Sequence, residues 1–229
     1  MLNKFIVAIA AICCVTTNAN AGDWVTLFNG KNLEGWTVES GIAKFTVEDG
    51  IIVGTAVEGS SNTFLCTEKE YGDFILELES KNDVKMNSGV MFRALIADEG
   101  TAFVFKDKKG NPAAKTLPNG RVYGYQAEIA THEAGKSGGI YDEARRGYYI
   151  ADVTVDPVAS KAFKDNQWNK YRIECRGNSL KTWINGVPCA DIKDSMTASG
   201  VIGLQVHGIK KDFKPWKARF RNIRIQELD

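Results

Sequence analysis

The chain is patterned with a period of two. Phe74-Ile75-Leu76-Glu77-Leu78-Glu79 and Ser88-Gly89-Val90-Met91-Phe92-Arg93-Ala94 alternate apolar side chains with polar or small ones, as a strand with one buried face does. Similar patterning predicts strands over 43–47, 51–56, 122–129, 168–175, 179–184, 187–191, 201–206 and 220–227. Asp49-Gly50, Arg176-Gly177-Asn178 and Asn185-Gly186 fall at the joints. Asn-Gly is a strong hairpin signal because both turn positions need positive φ. Roughly ten short strands with regular turn signals predict an all-β sandwich or jelly roll. No stretch carries the period of a long amphipathic helix. Residues 24–28 and 220–225 read as apolar edge strands that bring the two ends of the chain together. Two stretches, 96–121 and 130–167, break the pattern with charged and turn-forming residues. Long connections of this kind usually serve function, and both are expected as loops on one face of a single domain over residues 22–229.

The N-terminus reads as a targeting segment. Lys4 precedes an unbroken apolar run over 5–15, and Ala19-Asn20-Ala21 supplies a small-x-small cleavage pattern. The run is too short to span a hydrocarbon core, which needs ~20 residues, so residues 1–21 are expected to be a signal peptide. A lipid anchor on Cys13 is the competing expectation, opposed by the bulky Ile12 before it. The product is then exported, to the periplasm or the exterior. Lys4 is the only charged residue of the leader. The 29 Lys and Arg against 28 Asp and Glu of the whole chain therefore leave the remainder without net charge. That balance offers no basic stripe for nucleic acid. Three cysteines remain, Cys66, Cys175 and Cys189. Their apolar neighbourhoods predict buried thiols, although export would permit a Cys175–Cys189 bridge.

Residues two apart on a strand share a face. Gln126 and Glu128 lie together, opposite Ala127 and Ile129. Gln205 and His207 lie together, opposite Leu204 and Val206, and Arg93 shares a face with Met91 and Gly89. Were these strands neighbours, Arg93, Gln126, Glu128, Gln205 and His207 would line one concavity. Amides with one carboxylate, one guanidinium and one imidazole suit a polyhydroxylated ligand. An ordinary solvated sheet face is the plainer reading. The stretch Ser137-Gly138-Gly139-Ile140-Tyr141-Asp142-Glu143-Ala144-Arg145-Arg146-Gly147-Tyr148-Tyr149 adds candidate sugar contacts. Those are Tyr141, Asp142, Glu143, Arg145, Arg146 and Tyr149, with internal pairing of the acids and arginines as the structural alternative. His132-Glu133-Ala134-Gly135-Lys136 is no zincin motif, since lysine stands where the second histidine belongs.

Several ordered segments carry a resemblance. They are Trp24-Val25-Thr26-Leu27-Phe28-Asn29-Gly30-Lys31-Asn32-Leu33-Glu34-Gly35-Trp36, Asn87-Ser88-Gly89-Val90-Met91-Phe92-Arg93 and Tyr123-Gly124-Tyr125-Gln126-Ala127-Glu128-Ile129. Gly203-Leu204-Gln205-Val206-His207 and Phe220-Arg221-Asn222-Ile223-Arg224-Ile225 complete the set. In this order they resemble the 3-keto-disaccharide hydrolase domain family, over essentially all of residues 23–228. The resemblance implies a concanavalin A-like jelly-roll sandwich of two curved antiparallel sheets. It also implies an exported bacterial protein acting on keto-sugars or other glycans, similar in fold to laminarinase- and lichenase-type glucanases. Those glucanases carry two glutamates about four residues apart on one strand. Here Glu128 stands alone, with His132 at the second position.

A 3-keto glycoside offers a route that needs no carboxylate pair. Its carbonyl acidifies the C2 proton; removing that proton builds an enolate that expels the C1 oxygen, and water adds back. The route needs a base, a partner for the enolate and a donor for the leaving oxygen. Glu128 or His207 is the expected base, and Arg93 or a divalent cation the charge partner. Candidate cation ligands are Glu128, His132, Asp142 and His207. The expected ligand is an oxidised disaccharide or oligosaccharide. The alternatives are a non-catalytic carbohydrate-binding module and a conventional paired-carboxylate glycoside hydrolase. N-terminal analysis of the exported protein is expected to find Gly22; any other first residue, or a lipid on Cys13, overturns the predicted leader.

Overall fold

A computed structural model of the chain describes residues 21–210 and 214–229. The expected leader lies outside these residues, apart from Ala21, which opens the first strand. The early strands are β1 (Ala21–Thr26), β2 (Trp36–Glu39), β3 (Lys44–Glu48), β4 (Ile51–Thr55), β5 (Thr63–Thr67) and β6 (Phe74–Asn82). Then come β7 (Ser88–Ile96), β8 (Ala102–Lys106), β9 (Pro112–Thr116), β10 (Val122–Ile129), β11 (Ile140–Glu143) and β12 (Tyr149–Ala151). The last are β13 (Asn169–Arg176), β14 (Ser179–Ile184), β15 (Val187–Lys193), β16 (Val201–Val206) and β17 (Lys217–Leu228). The described residues hold no α-helix, only a single 3₁₀ turn at Ala159–Lys161.

Two antiparallel sheets form a jelly-roll sandwich. One runs β15-β14-β13-β6-β17-β4-β3, with β1 also on β17. The other runs β12-β11-β10-β7-β16-β5-β2. Alternation decides what lies between them. Val90 and Phe92, Tyr125, Ala127 and Ile129, and Leu204 and Val206 share one core with Leu76, Leu78, Tyr171, Ile173, Phe220 and Ile225. Each of the Val, Leu, Ile and Phe side chains among them contributes ~1.5–3 kcal/mol by leaving water. The opposite face of the second sheet is then free to carry polar groups.

The two expected edge strands do meet, since Trp24, Val25 and Thr26 pair with Gln226, Ile225 and Arg224. But β17 is central rather than an edge. Its register shifts between Arg221 and Arg224, where Asn222 takes a positive φ of 52°. On one side β17 pairs β6 throughout; on the other its first half pairs β4 and its second half β1. The stretch 96–121 is likewise not all loop, because β8 and β9 form a hairpin. Its Phe103 stacks on Tyr123 with ring centroids 5.6 Å apart. Among the described residues, Cys66, Cys175 and Cys189 are free thiols, so no Cys175–Cys189 bridge is made. Burial pushes the Cys175 thiol up to about 12.

Arg93 departs from its expected place. Three steps on β7, from Phe92 to Leu95, face two on β10, and Arg93 sits in this bulge with φ 45°. One extra residue breaks the alternation, and the side chain turns away from the polar face to the end of the sandwich. Its Nε donates to Gly72 O at 2.8 Å, Nη1 to Gly177 O at 2.7 Å and Nη2 to Asp73 Oδ1 at 2.6 Å. Gly177 lies in the β13–β14 turn and Asp73 just before β6, so a single guanidinium ties one sheet to the other. Losing a buried cation bonded through all three of its nitrogens is costly because its partners stay behind. Arg93→Leu is expected to cost about 3 kcal/mol in urea unfolding, with ligand binding by the remaining folded protein unchanged. A loss of stability under about 1 kcal/mol, which is the worth of one ordinary hydrogen bond, would contradict this structural role.

Candidate functional site

On the outer face of the second sheet, β10 presents Gln126 and Glu128. Register places Gly89 of β7 beside Glu128, and Gln205 of β16 lies across β7 from it. Gly89 matters because it has no side chain. A Cβ there would sit 2.4 Å from Gln126 Cδ, so only glycine lets Gln126 lie over β7. Gln205 Nε2 then donates to Gln126 Oε1 at 2.8 Å, and Gln126 Nε2 donates to Glu128 Oε2 at 3.1 Å. Asn87 Nδ2 donates to Glu128 Oε1 at 2.5 Å, and the Tyr149 hydroxyl also bonds this carboxylate.

A carboxylate only accepts hydrogen bonds. Ionised Glu128 therefore orients both amides, with each NH2 group directed toward it. What remains at the end of the chain is Gln205 Oε1, which is buried and has no hydrogen-bond partner. Burial holds the Glu128 carboxyl above the ordinary glutamate range, and the bonds from Asn87, Gln126 and Tyr149 offset only part of that shift. Burial and the neighbouring Glu128 charge push the Tyr149 hydroxyl upward as well.

These groups floor a depression of about 340 Å³ lined by Asn62, Asn87, Gln126, Glu128, Tyr141, Glu143, Tyr149, Gln205 and His207. That is at the small end of ligand pockets. His207 is exposed and contacts Gly208 O through Nδ1 at 2.8 Å. A carbonyl cannot donate, so Nδ1 carries the proton and Nε2 stays open. Tyr141 packs edge-on to Tyr149 at 5.1 Å. Glu143 is held by Arg121 and by Asn62 Nδ2 at 3.2 Å.

Seven residues expected here, Gln126, Glu128, Gln205, His207, Tyr141, Glu143 and Tyr149, do come together. Five others do not. Arg93 is at the end of the sandwich, as described. Asp142 alternates with Tyr141 and Glu143 on β11 and so points the other way, fully buried. Arg145 Nε bonds it at 2.9 Å and Arg146 also pairs with it. Arg146 continues to Asp194 Oδ2 at 2.7 Å, and Tyr125 OH bonds the same carboxylate. Asp142, Arg145 and Arg146 are thus consumed by internal pairing beneath the strand. His132 contacts Phe163 O through Nδ1 at 2.8 Å and does not line the depression. The four candidate cation ligands therefore do not converge, and the described residues contain no group of three or more acidic, histidine or cysteine side chains able to hold a metal. Asn62 and Asn87 are additions. Asn87 directly precedes the alternating segment that begins at Ser88, whereas Asn62 carries no comparable signal.

A second depression, of about 520 Å³, lies on the other sheet beside Glu77 and Glu79. Its charges are spent: Glu77 pairs with Lys170, Arg172 and Arg224, and Glu79 with Arg221.

Residues 23–226 match the family model described as a 3-keto-alpha-glucoside-1,2-lyase-like domain. Among solved structures, the chain is similar to a candidate glycosyl hydrolase from Parabacteroides distasonis ATCC 8503. The identity is 19%, with a TM-score of 0.59, over 91% of this chain and 94% of that one. It is also similar to the carbohydrate-binding module CBM66 from Bacillus subtilis, at 19% identity and a TM-score of 0.56, over 86% of this chain and 98% of that one. At these identities the likeness is one of fold. No curated protein matches the chain in sequence.

Burial raises the Glu128 carboxyl and the Asn87 bond opposes it, so removing that bond has a definite sign. Carbon-13 titration of the side chain is expected to find Glu128 above the ordinary glutamate range and higher still in Asn87→Ala. A wild-type value at or below that range, or a downward move in the variant, would contradict the site's electrostatics.

Proposed function

The chain belongs to the 3-keto-alpha-glucoside-1,2-lyase-like domain family, and on that premise we propose that the Glu128 depression binds the oxidised sugar of a 3-keto glycoside and cleaves it by elimination. At the coarser level the chain is a carbohydrate-binding or carbohydrate-processing domain. One observation carries the finer reading. The Glu128 carboxyl, its pKa raised by burial, floors a polar depression at the end of an amide chain whose last acceptor, Gln205 Oε1, is unpartnered.

In this reading Glu128 takes the proton from C2 of the sugar. The C2–H electron pair forms the enolate of the C3 ketone. Its collapse breaks the bond from C1 to the leaving oxygen and leaves a C1=C2 double bond conjugated to the ketone. The open Nε2 edge of His207, in its protonated form, supplies the proton to the leaving oxygen. Water then adds at C1 and a proton returns to C2, so the net change is hydrolysis. Raised basicity suits the first step, because proton abstraction improves as the base strengthens. The expected leader makes the substrate a glycan outside the cytoplasm.

A paired-carboxylate mechanism has less support. Asp142 is turned away, and Glu143 stands opposite Gly124, four residues back along β10 from Glu128. Glu143 is engaged by Arg121 and Asn62, and Glu128 by Asn87 and Gln126, so both side chains are tied in place. A second reading is glycan binding without turnover. It is favoured by the donors already on Glu128, namely Asn87, Gln126 and Tyr149, which suit a recognition group as well as a base.

The test compares a glucoside with its 3-keto counterpart, in heavy water, on wild type and Glu128→Gln. Cleavage of the keto-sugar alone is expected, with deuterium entering C2. The variant should lose about 10²–10⁴-fold in rate, as for loss of a general base. On the acid limb of its profile the rate should rise with pH through a midpoint above the ordinary glutamate range, since only the ionised carboxylate accepts the proton. Cleavage without C2 exchange excludes elimination, and binding without cleavage establishes the second reading.

A further inference from the structure

The Glu128 depression does not end at its own walls. Towards the start of β10 it shares Asn62 with a second depression of about 540 Å³ on the same side of the sheet. Between them stands a fixed partition. Asn62 donates to Glu143 Oε1 at 3.2 Å and accepts from Gly208 N at 3.0 Å, and Glu143 is paired with Arg121. Arg121 in turn lies over the Phe64 ring at 5.8 Å. The far compartment is lined by Ser61, Lys115, Thr116, Asn119 and Arg121, among others.

Two features separate this compartment from an incidental surface hollow. It is built in advance. Ser40 Oγ donates to Gly120 O at 3.1 Å and accepts from Val122 N at 2.8 Å, while Gly120 N bonds Ala97 O at 2.7 Å. The loop that forms its wall is therefore pinned to the sheet. Its polar groups are also unspent: the side chains of Ser61, Lys115, Thr116 and Asn119 make no hydrogen bond to other described residues. A row of uncommitted hydroxyl, amide and ammonium groups beside a pinned loop fits a ring that carries hydroxyls around its edge. The depression on the other flank, shared through Asn87 and His207, differs in kind: Met86, Ile209 and Trp216 make it largely apolar.

We propose that this compartment is a subsite for a second, neutral hexose. The oxidised sugar sits over Glu128, and the sugar attached at its C1 lies between Lys115, Asn119 and Arg121. The glycosidic oxygen then crosses above the Asn62–Glu143–Arg121 partition. This inference rests on the reading of the Glu128 depression given above and names the direction in which its substrate extends.

The test measures kcat/KM, or Kd if nothing is turned over, for methyl 3-keto-glucoside and for 3-keto-glucosyl-glucose of (1→2), (1→3), (1→4) and (1→6) linkage. At least one disaccharide is expected to be about 10-fold better than the methyl glycoside, the worth of one or two hydrogen bonds. The double variant Lys115→Ala/Asn119→Ala is expected to lose most of that advantage and to leave the methyl glycoside unaffected. Lys210→Ala, on the apolar flank, should keep the advantage. Disaccharides no better than the methyl glycoside, or an advantage that survives the double variant, overturn the subsite while the Glu128 reading stands. An advantage lost in Lys210→Ala instead sends the second sugar the other way and also overturns it. Neither turnover nor binding of any keto-glycoside fells the Glu128 reading, and the subsite with it.

Discussion

The Glu128 carboxylate can accept hydrogen bonds but cannot donate them, and it is buried. Those two conditions order its surroundings. Every neighbour within reach must turn a donor toward it, as Asn87, Gln126 and Tyr149 do. Because Gln126 spends its NH2 group there, its oxygen faces Gln205, and Gln205 is left with an acceptor that nothing in the described chain meets. An unmet buried acceptor costs free energy, and a sugar hydroxyl is the kind of donor that would satisfy it. Burial pushes Glu128 toward protonation and its donors offset only part of that shift, which leaves it a stronger base than an ordinary glutamate.

The sandwich makes this arrangement rigid. Tyr171, on the first sheet, passes through the core to donate to Glu128 O at 3.2 Å, so the backbone of the carboxylate is fixed from behind. Gly138 N bonds the same carbonyl at 2.9 Å and Glu128 N bonds Gly139 O at 2.9 Å. That clamps the chain leading into β11 against the end of β10. Below β11 the Asp142–Arg145–Arg146–Asp194 network fills the opposite side. Its effect on the site is indirect: with Asp142 anchored inward, alternation turns Tyr141 and Glu143 outward to the depression.

Much of this was legible in the sequence, and the parts that were not have identifiable causes. Two-residue alternation placed Gln126, Glu128 and Gln205 on one face because β10 and β16 are regular there. It misplaced Arg93 because a bulge adds one residue to β7, and a bulge leaves no mark on hydrophobic periodicity. Composition groups Asp142, Arg145 and Arg146 with Tyr141 and Glu143, whereas strand parity turns Asp142 inward and the two arginines reach it from the turn after β11. The β8–β9 hairpin was hidden because Ala102-Phe103-Val104-Phe105-Lys106 is apolar at both parities, with Val104 72% exposed. The central place of β17 was hidden for the same reason as Arg93, since the bulge at Asn222 lets one long strand serve two neighbours. Asn62 was invisible because it stands just outside a strand, and its role comes from partners 81 and 146 positions away.

The central claim is that a keto-sugar lies on the second sheet with C2 against Glu128. A crystal structure of the protein with an unreactive 3-keto glycoside analogue, its C2 hydrogen replaced, tests it most directly. The account predicts C2 at about 3–3.5 Å from a Glu128 carboxylate oxygen, the near-attack range, with a sugar hydroxyl donating to Gln205 Oε1. A sugar bound on the opposite sheet beside Glu77, or one whose C2 is turned away from Glu128, would contradict it.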